Sequence, residues 1–284
     1  MRETSRDIDR RRFLAVAAAT LGAANAPTLQ DAAAQRRGEP TADRWQELFD
    51  GESLNGWHVN PKPIGHGDGG RWRIEPGGVL AGEQDPPGSG NGGVLLTDQR
   101  FGDFELSVEM KPDWGVCSGL FLRGNDRGQC FQMMVDYHDA GNVGQIYGEG
   151  VGGWSTRTFN IQGRYDDRRN LIGLTTGEHR TAEDAGLLLA CTPQEWLETW
   201  KVNDWNQATV RVEGGVYPLI STKINDRLVG LFDAGVALVP KYDREKVAGL
   251  LGPNGSIGVQ VHGGDGWPQG AKCRWRNFRL RRLG

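Results

Sequence analysis

Three residues suited to acid–base or metal chemistry lie together at the end of an apolar stretch. The segment "CFQMMVDYHD" (130–139) alternates like a β-strand and then ends on Asp136, His138 and Asp139. Residues two apart on a strand share a face, so Asp136 and His138 point the same way. A carboxylate and an imidazole on one face can act as base and acid, or hold a divalent metal together. The two acids can also belong to turn chemistry or coordinate a structural cation such as calcium.

Other polar side chains alternate out of apolar strands in a similar pattern. In a curved β-sandwich such residues would line the concave groove. The alternatives are that Glu109 is a solvated residue of an outer face and that His262 is a hydrogen-bonding strand end. The face of Arg123 depends on the loop length, because a change of one residue reverses the parity. The predicted groove residues are Glu109, Arg123, Gln132, Asp136, Gln260 and His262.

The elements that position these residues are short strands separated by glycine turns. Many short strands at regular spacing indicate an all-β sandwich or barrel, and we predict one sandwich with an insertion. A hairpin is expected over residues 125–128. The predicted strands are 71–75, 78–82, 103–111, 118–124, 129–138, 207–215, 219–226, 227–233, 256–263 and 272–283.

Only one segment carries a strong helix signal. In "TPQEWLETW" (192–200), Thr192 is a suitable N-cap, Pro193 occupies the first helical position and Glu195 completes a capping box. This segment belongs to the charged, weakly periodic region 163–200. We predict that the region leaves the sandwich and covers one end of a cleft.

The N-terminus has the pattern of an export signal. Arg11 and Arg12 precede Phe-Leu and a short apolar run, and Ala-Asn-Ala closes at residue 26. The run is shorter than the ~20 residues that a membrane-spanning helix requires. We therefore predict a twin-arginine-type signal peptide over 1–26, a linker over 27–43 and one domain over 44–284. This predicts a periplasmic or secreted protein with no membrane span.

Charge and cysteine content narrow the function classes further. The formal net charge of −3 gives no broad electrostatic reason to bind nucleic acid. The four cysteines show neither a CxxC pair nor a zinc-ligand spacing. Folding the hairpin over 125–128 would place Cys130 near Leu122 and away from Cys117. Buried free thiols are therefore expected.

Several phrases, in this order, resemble the 3-keto-disaccharide hydrolase family. They are "LFDGESLNGWHV", "GGVLLTDQRFGDFELSVEMK", "SGLFLRG", "FQMMVDYHD…GQIYG", "IGVQVHGG" and "RWRNFRL". The resemblance covers about residues 45–283 and implies a concanavalin A-like jelly roll. The chain departs from the family where Cys117-Ser118-Gly119 replaces the usual Asn-Ser-Gly, and in its long insertion at 163–200.

The resemblance implies hydrolysis of glycosides oxidised at C3, through C2 proton abstraction, elimination and hydration. Asp136 and His138 would then supply the base and the proton donor, or jointly hold a metal. Arg123 would clamp an enolate or hydroxyl, and Glu109 is a further catalytic candidate. Tyr147 and Trp154 would offer flat apolar surfaces to a pyranose, unless they belong to the core. The resemblance also implies an exported sugar 3-dehydrogenase that acts upstream.

Two other functions fit the same fold. A retaining glycosidase needs two carboxylates ~5–5.5 Å apart. Glu105 and Glu109 in "ELSVE" share a face, but no acid lies between them as in laminarinase-type enzymes. A non-catalytic, lectin-like carbohydrate-binding module would rely on exposed aromatic residues, for which ten tryptophans leave room.

Overall fold

The computed structural model describes residues 44–61, 65–66, 69–177 and 179–284. All of these belong to the compact unit Thr41–Gly284. The predicted signal peptide (1–26) and linker (27–43) lie outside the described residues. Within the described part of the chain, no helix has both the length and the apolar character needed to cross a bilayer.

Seventeen short strands and two short helices make up the described fold. The first eight strands are β1 (Gln46–Glu47), β2 (Trp57–Val59), β3 (Arg71–Glu75), β4 (Val79–Glu83), β5 (Gly93–Phe101), β6 (Phe104–Pro112), β7 (Val116–Gly124) and β8 (Cys130–Tyr137). The others are β9 (Val143–Glu149), β10 (Asn160–Tyr165), β11 (Leu171–Gly177), β12 (Leu189–Ala190), β13 (Asn206–Glu213), β14 (Leu219–Ile224), β15 (Arg227–Asp233), β16 (Gly255–Val261) and β17 (Cys273–Arg282). The helices are α1 (Pro193–Thr199) and α2 (Arg244–Leu251).

Two large antiparallel sheets contain nearly all of these strands. The nine-stranded sheet has the order β12-β15-β14-β13-β6-β17-β4-β3, with β1 added beside β17. The six-stranded sheet has the order β2-β5-β16-β7-β8-β9, and β10 and β11 form a small sheet of their own. The predicted all-β, concanavalin A-like jelly-roll sandwich is confirmed. The hairpin over 125–128 is confirmed as the connection between β7 and β8.

The core lies between the facing sides of the two sheets. On β6, Phe104, Leu106, Val108 and Met110 are fully buried, while the charged residues between them are partly exposed. This alternation follows from the period of two along a strand. Burying an apolar side chain of this size stabilises the fold by ~1.5–3 kcal/mol. Hydrophobic burial therefore fixes which side of each strand faces inward.

The insertion at 163–200 is more closely joined to the sandwich than the sequence indicates. Helix α1 is capped as predicted, because the Thr192 hydroxyl accepts from the Glu195 N–H and the Glu195 carboxylate accepts from the Thr192 N–H. Trp196 is buried and donates to the Val143 carbonyl at 3.0 Å. Strand β12 also joins the nine-stranded sheet. Strands β10 and β11, which pair only with each other, form a separate two-stranded sheet; β10 begins just before the insertion and β11 lies within it.

Candidate active site

The outer face of the six-stranded sheet, opposite the core, carries a cavity of about 570 Å³. Its floor follows from strand alternation: Phe131, Met133 and Val135 enter the core, so the residues between them project outward. Gln132 and Asp136 of β8 lie on this floor. They are joined there by Cys117 of β7 and by Tyr147 and Glu149 of β9.

Loops form the walls of the cavity. The residues that line it from segments outside the strands are His66, His138, Arg157, His262, Asp265 and Trp267. Gln84, which is almost fully buried, fixes one wall. Its amide nitrogen donates to the carbonyls of His262 (3.0 Å) and Asp265 (2.8 Å), and its oxygen accepts from the Trp267 N–H (2.9 Å). The wall that carries His262 is therefore held by three hydrogen bonds of a buried amide, which would be costly to leave unsatisfied.

Asp136 is the centre of one end of the cavity. Arg157 Nη2 donates to Asp136 Oδ2 at 2.8 Å. Cys117 lies directly opposite Asp136 in the β7–β8 register, and its thiol donates to Asp136 Oδ1 at 3.3 Å. Nδ1 of His138, two residues on, lies 2.8 Å from the Asp139 carbonyl oxygen. Donor atoms of Cys117, Asp136 and His138 all lie within 4.8 Å of one another.

Burial decides the protonation of this end. It raises the pKa of Asp136, and the positive charge of Arg157 and the hydrogen bond from Cys117 act in the opposite direction. Burial also raises the pKa of the Cys117 thiol, with a further contribution from the Asp136 charge. Cys117 is therefore a protonated thiol at neutral pH in the absence of a metal ion.

A chain of amides crosses the floor towards the other end. Gln132 Nε2 donates to Gln260 Oε1 at 2.7 Å. Gly119 allows this contact, because a Cβ there would lie 1.8 Å from Gln132 Nε2. Gln260 Nε2 lies 3.0 Å from His66 Nε2 and 3.5 Å from Glu149 Oε2. Since Gln260 also accepts from Gln132, its nitrogen is placed to donate to both.

Histidines and a carboxylate dominate this second end. His66 Nε2 lies 3.2 Å from Glu149 Oε1, and both side chains are largely buried. The ring of His262 packs against that of His66 with centroids 4.5 Å apart. Burial and the neighbouring His66 lower the pKa of His262, against the opposing charges of Glu149 and Asp136. His262 is thus a neutral imidazole at neutral pH, able to accept a proton.

Tyr147 lies on the floor with its hydroxyl protonated. Burial raises the pKa of Tyr147, and the negative charges of Glu149 and Asp136 raise it further. A phenol held in this state can donate a hydrogen bond to a ligand oxygen.

The structure brings together most of the residues predicted from the sequence. Five of them line the cavity, namely Gln132, Asp136, His138, Tyr147 and His262. Gln260 is fully buried beneath the floor and contacts it through Gln132. The other three predicted residues, Glu109, Arg123 and Trp154, lie elsewhere.

Arg123 belongs to the framework of the fold, which corrects its prediction as a ligand clamp. It has a φ of 55° beside a register shift between β7 and β16, so its side chain leaves the alternation of β7. The guanidinium is fully buried and donates to Asp103 Oδ1 (2.6 Å), the Gly102 carbonyl (2.9 Å) and the Gly215 carbonyl. These bonds join the β5–β6 and β13–β14 turns.

Glu109 and Trp154 are also placed away from the cavity. Glu109 lies on the outer face of the nine-stranded sheet, where it accepts from Arg276 Nε at 2.6 Å and from Asn277 Nδ2 at 3.0 Å. Trp154 is 1% exposed and stacks on Phe232 with ring centroids 5.2 Å apart. Trp154 is therefore a core residue, and Glu109 is the solvated sheet residue that the sequence allowed as an alternative.

Several cavity residues were missed by sequence reasoning. Glu149 carried a usable signal, since it alternates with Tyr147 along β9. Cys117 could have been found from its cross-strand position opposite Asp136. His66, Arg157, Asp265 and Trp267 lie in irregular segments. For those four, no periodicity in the sequence indicates a direction.

Comparison with known proteins places this chain in a family. The sequence profile of the 3-keto-alpha-glucoside-1,2-lyase-like domain matches residues 44–281, so the chain belongs to that family. The protein thus has a carbohydrate-related function. A comparison with curated proteins finds no match.

Solved structures with similar folds have low sequence identity. A "putative glycosyl hydrolase" from Parabacteroides distasonis ATCC 8503 is 14% identical, with a TM-score of 0.49 over 92% of this chain and 99% of that chain. The carbohydrate-binding module CBM66 from Bacillus subtilis is 13% identical, with a TM-score of 0.39 over 80% and 95%.

Proposed function

We propose that the protein cleaves 3-keto-glycosides by elimination across C1–C2 followed by hydration. The observation that carries this proposal is the composition of the cavity. A neutral imidazole, a buried carboxylate–arginine pair and a buried carboxylate–imidazole pair surround one space large enough for a sugar. The family description supports a substrate with a ketone at C3.

The ketone at C3 makes the C2 proton acidic enough for a neutral side-chain base to remove. A carbonyl at C3 acidifies the C2 proton, so a base can remove it and leave an enolate over C2 and C3. The electron pair then forms the C1=C2 bond as the C1–O bond breaks, and the leaving oxygen takes a proton. Addition of water returns hydroxyl to C1 and a proton to C2. The sum is hydrolysis of the glycoside.

His262 is the base in this proposal. Its imidazole lines the cavity, and its lowered pKa keeps it neutral at neutral pH. Asp136 was the first candidate from the sequence. However, its two oxygens already accept from Arg157 and Cys117, so it is less free to take a proton.

Two further roles remain: stabilisation of the enolate and protonation of the leaving oxygen. Arg157 and the Tyr147 hydroxyl can donate to the C3 oxygen as it gains negative charge. The imidazolium that His262 forms by taking the C2 proton can deliver that proton to the departing oxygen, beside the contact of 3.2 Å between His66 and Glu149.

The two carboxylates that the sequence offered for a retaining glycosidase, Glu105 and Glu109, are both engaged in ion pairs or hydrogen bonds. Glu105 accepts from Arg211 (3.4 Å) and Arg281 (2.9 Å), and Glu109 accepts from Arg276 and Asn277. Both lie on the nine-stranded sheet, outside the cavity. A nucleophile and acid would therefore have to come from other residues.

The test uses a 3-keto-glucoside and its unoxidised parent, both deuterated at C2. We expect release of the aglycone from the keto substrate alone, with loss of the label to solvent. Cleavage of both substrates with the label retained would instead indicate direct displacement at C1. Saturable binding of sugar without cleavage of either would identify a lectin-like module.

We also propose export through the twin-arginine route, on the pattern of residues 1–26. Replacing Arg11 and Arg12 together by lysine should leave the precursor in the cytoplasm. Cell fractionation measures this, and equal periplasmic yields of the variant and the wild type would reject the route.

A further inference from the structure

Three donor atoms of different chemistry converge on the cavity floor at the Asp136 end. Cys117 and Asp136 face each other across the β7–β8 pair, and His138 follows two residues later. Their donor atoms lie within 4.8 Å of one another. We propose that Cys117 Sγ, Asp136 Oδ1 and His138 Nε2 bind a divalent cation with affinity for thiolate, such as Zn²⁺.

The imidazole of His138 already has one ring nitrogen occupied by a backbone carbonyl, as a metal ligand does. Its Nδ1 lies 2.8 Å from the Asp139 carbonyl oxygen, and a carbonyl can only accept, so Nδ1 carries the proton. The lone pair of a neutral ring then resides on Nε2. Metal-bound histidines almost always donate their other ring N–H to a carboxylate, a backbone carbonyl or water, and Asp139 supplies such a carbonyl here.

The other two ligands share a single proton that an ion can replace. The Cys117 thiol donates to Asp136 Oδ1 at 3.3 Å, while Asp136 Oδ2 is separately held by Arg157. On binding, the S–H bond breaks, the proton leaves to solvent and the sulfur bonds to the ion. Arg157 keeps the carboxylate oriented throughout.

The dimensions suit a small tetrahedral ion. Bonds of ~2.0–2.3 Å to sulfur, nitrogen and oxygen place the ligand atoms roughly 3.3–3.6 Å apart in such a site. The donor atoms observed here lie within 4.8 Å of one another, so binding would draw them closer together. Thiolate and imidazole ligands favour zinc-like ions over magnesium or calcium.

The ion would face the cavity. All three ligand residues line it, so a fourth coordination position is open to water or to a substrate oxygen. The charge of Arg157 is offset by Asp136, whereas a divalent ion would add positive charge at this end. Metal binding itself can be measured without any sugar, so the proposal does not depend on the proposed reaction.

The experiment titrates the full-length, chelator-stripped protein with Co²⁺ and Zn²⁺. We expect one ion per chain by elemental analysis, and a thiolate-to-cobalt charge-transfer band. Cys117→Ser should abolish the band and weaken binding at least about tenfold, because even loss of a ligand's orienting partner costs ~10–100-fold. Cys191→Ser is the matched control, since that thiol lies in a separate groove beside α1; it should leave both readouts unchanged.

His138→Gln provides a second variant that removes no thiol. It should weaken Co²⁺ binding while the charge-transfer band survives at saturating cobalt. Circular dichroism confirms that each variant is folded, and this variant decides the matter if Cys117→Ser does not fold. No stoichiometric ion in the wild type, or a band and affinity unaffected by these substitutions, would overturn the assignment.

Discussion

The outer faces of the two sheets use polar residues in opposite ways. On the nine-stranded sheet, carboxylates and guanidinium groups pair across neighbouring strands at the protein surface. On the six-stranded sheet, the outward-facing polar residues are covered by loops and buried. Both faces arise from the same alternation along the strands.

The nine-stranded face is an array of partly exposed ion pairs. Glu75 contacts Lys272 and Arg274, Glu105 contacts Arg211 and Arg281, and Glu109 contacts Arg276. These carboxylates already have cationic partners. Such a face supports folding and solubility, and offers a ligand little unsatisfied charge.

The six-stranded face gains its character from what covers it. Asp136 and Glu149 are 7% and 8% exposed, and each has only one basic side chain as its ion-pair partner among the described residues. In this less polar setting, protonation depends on burial, so the pKa of Asp136 rises and that of His262 falls. Loop coverage therefore distinguishes the face that carries the candidate active site from the face that carries the ion pairs.

The largest effect on kcat/KM is expected when a residue of the cavity is replaced, compared with the same kind of replacement on the nine-stranded face. His262→Gln should lower kcat/KM for a 3-keto-glucoside by ~10²–10⁴-fold, because the proposed C2 base is lost. Glu109→Gln, on the nine-stranded face, is the matched control and should stay near wild type. Steady-state kinetics measures both. Equal losses in the two variants would contradict the contrast between the faces.

The ion pair between the buried Arg123 and Asp103 lies at the turns that connect strands, and not on the outer face of either sheet. Asp103→Ala leaves the fully buried Arg123 without its counter-charge, which should lower the free energy of unfolding by ~3–5 kcal/mol. Urea unfolding measures the change. Catalytic activity at temperatures well below unfolding should be unchanged, and a stable but inactive variant would return Arg123 to the active site.

The pH dependence should report the buried imidazole. His262 faces His66, Glu149 of β9 and Asp136 of β8, and its pKa lies below the ordinary histidine value. As the pH falls through that lowered pKa, the base is protonated and kcat/KM should fall by about tenfold per unit.

The same shift affects stability. Below the ordinary histidine pKa of ~6.5, the unfolded chain binds a proton that the folded protein resists, so this group makes unfolding easier as the pH falls. His262→Gln should remove both effects. An acid limb unchanged in that variant would assign the base to another group.

The smallest effect is expected from the partly exposed ion pairs of the nine-stranded face. Glu105→Gln should change the free energy of unfolding by no more than ~1 kcal/mol, since partly exposed ion pairs contribute little. Thermal unfolding with and without added salt measures it. A loss comparable to that of Asp103→Ala would mean that this array is as important to stability as the buried pair.

Local sequence patterns were sufficient to predict ten of the seventeen described strands, the capped helix α1 and the sandwich class; strands such as β5 and β9, and helix α2, were not predicted. The strand positions follow from apolar alternation and turn residues, and α1 follows from the local pattern Thr192-Pro193-x-Glu195. Both signals lie within a few residues of the elements they specify. The positions of Asp136 and His138 in the cavity could be predicted for the same reason, since they follow a strand whose alternation is clear.

Which outward-facing residues line the cavity depends on contacts between distant parts of the chain. Glu109 and Gln132 have similar patterns in the sequence, but loops cover only the sheet that carries Gln132. Arg123 left its predicted face because a register shift and a positive φ interrupt the alternation. Cys117, His66 and Arg157 reach Asp136 and Glu149 through strand pairing and loop paths between residues distant in sequence. Those contacts depend on long-range packing, which no local spacing in the chain records.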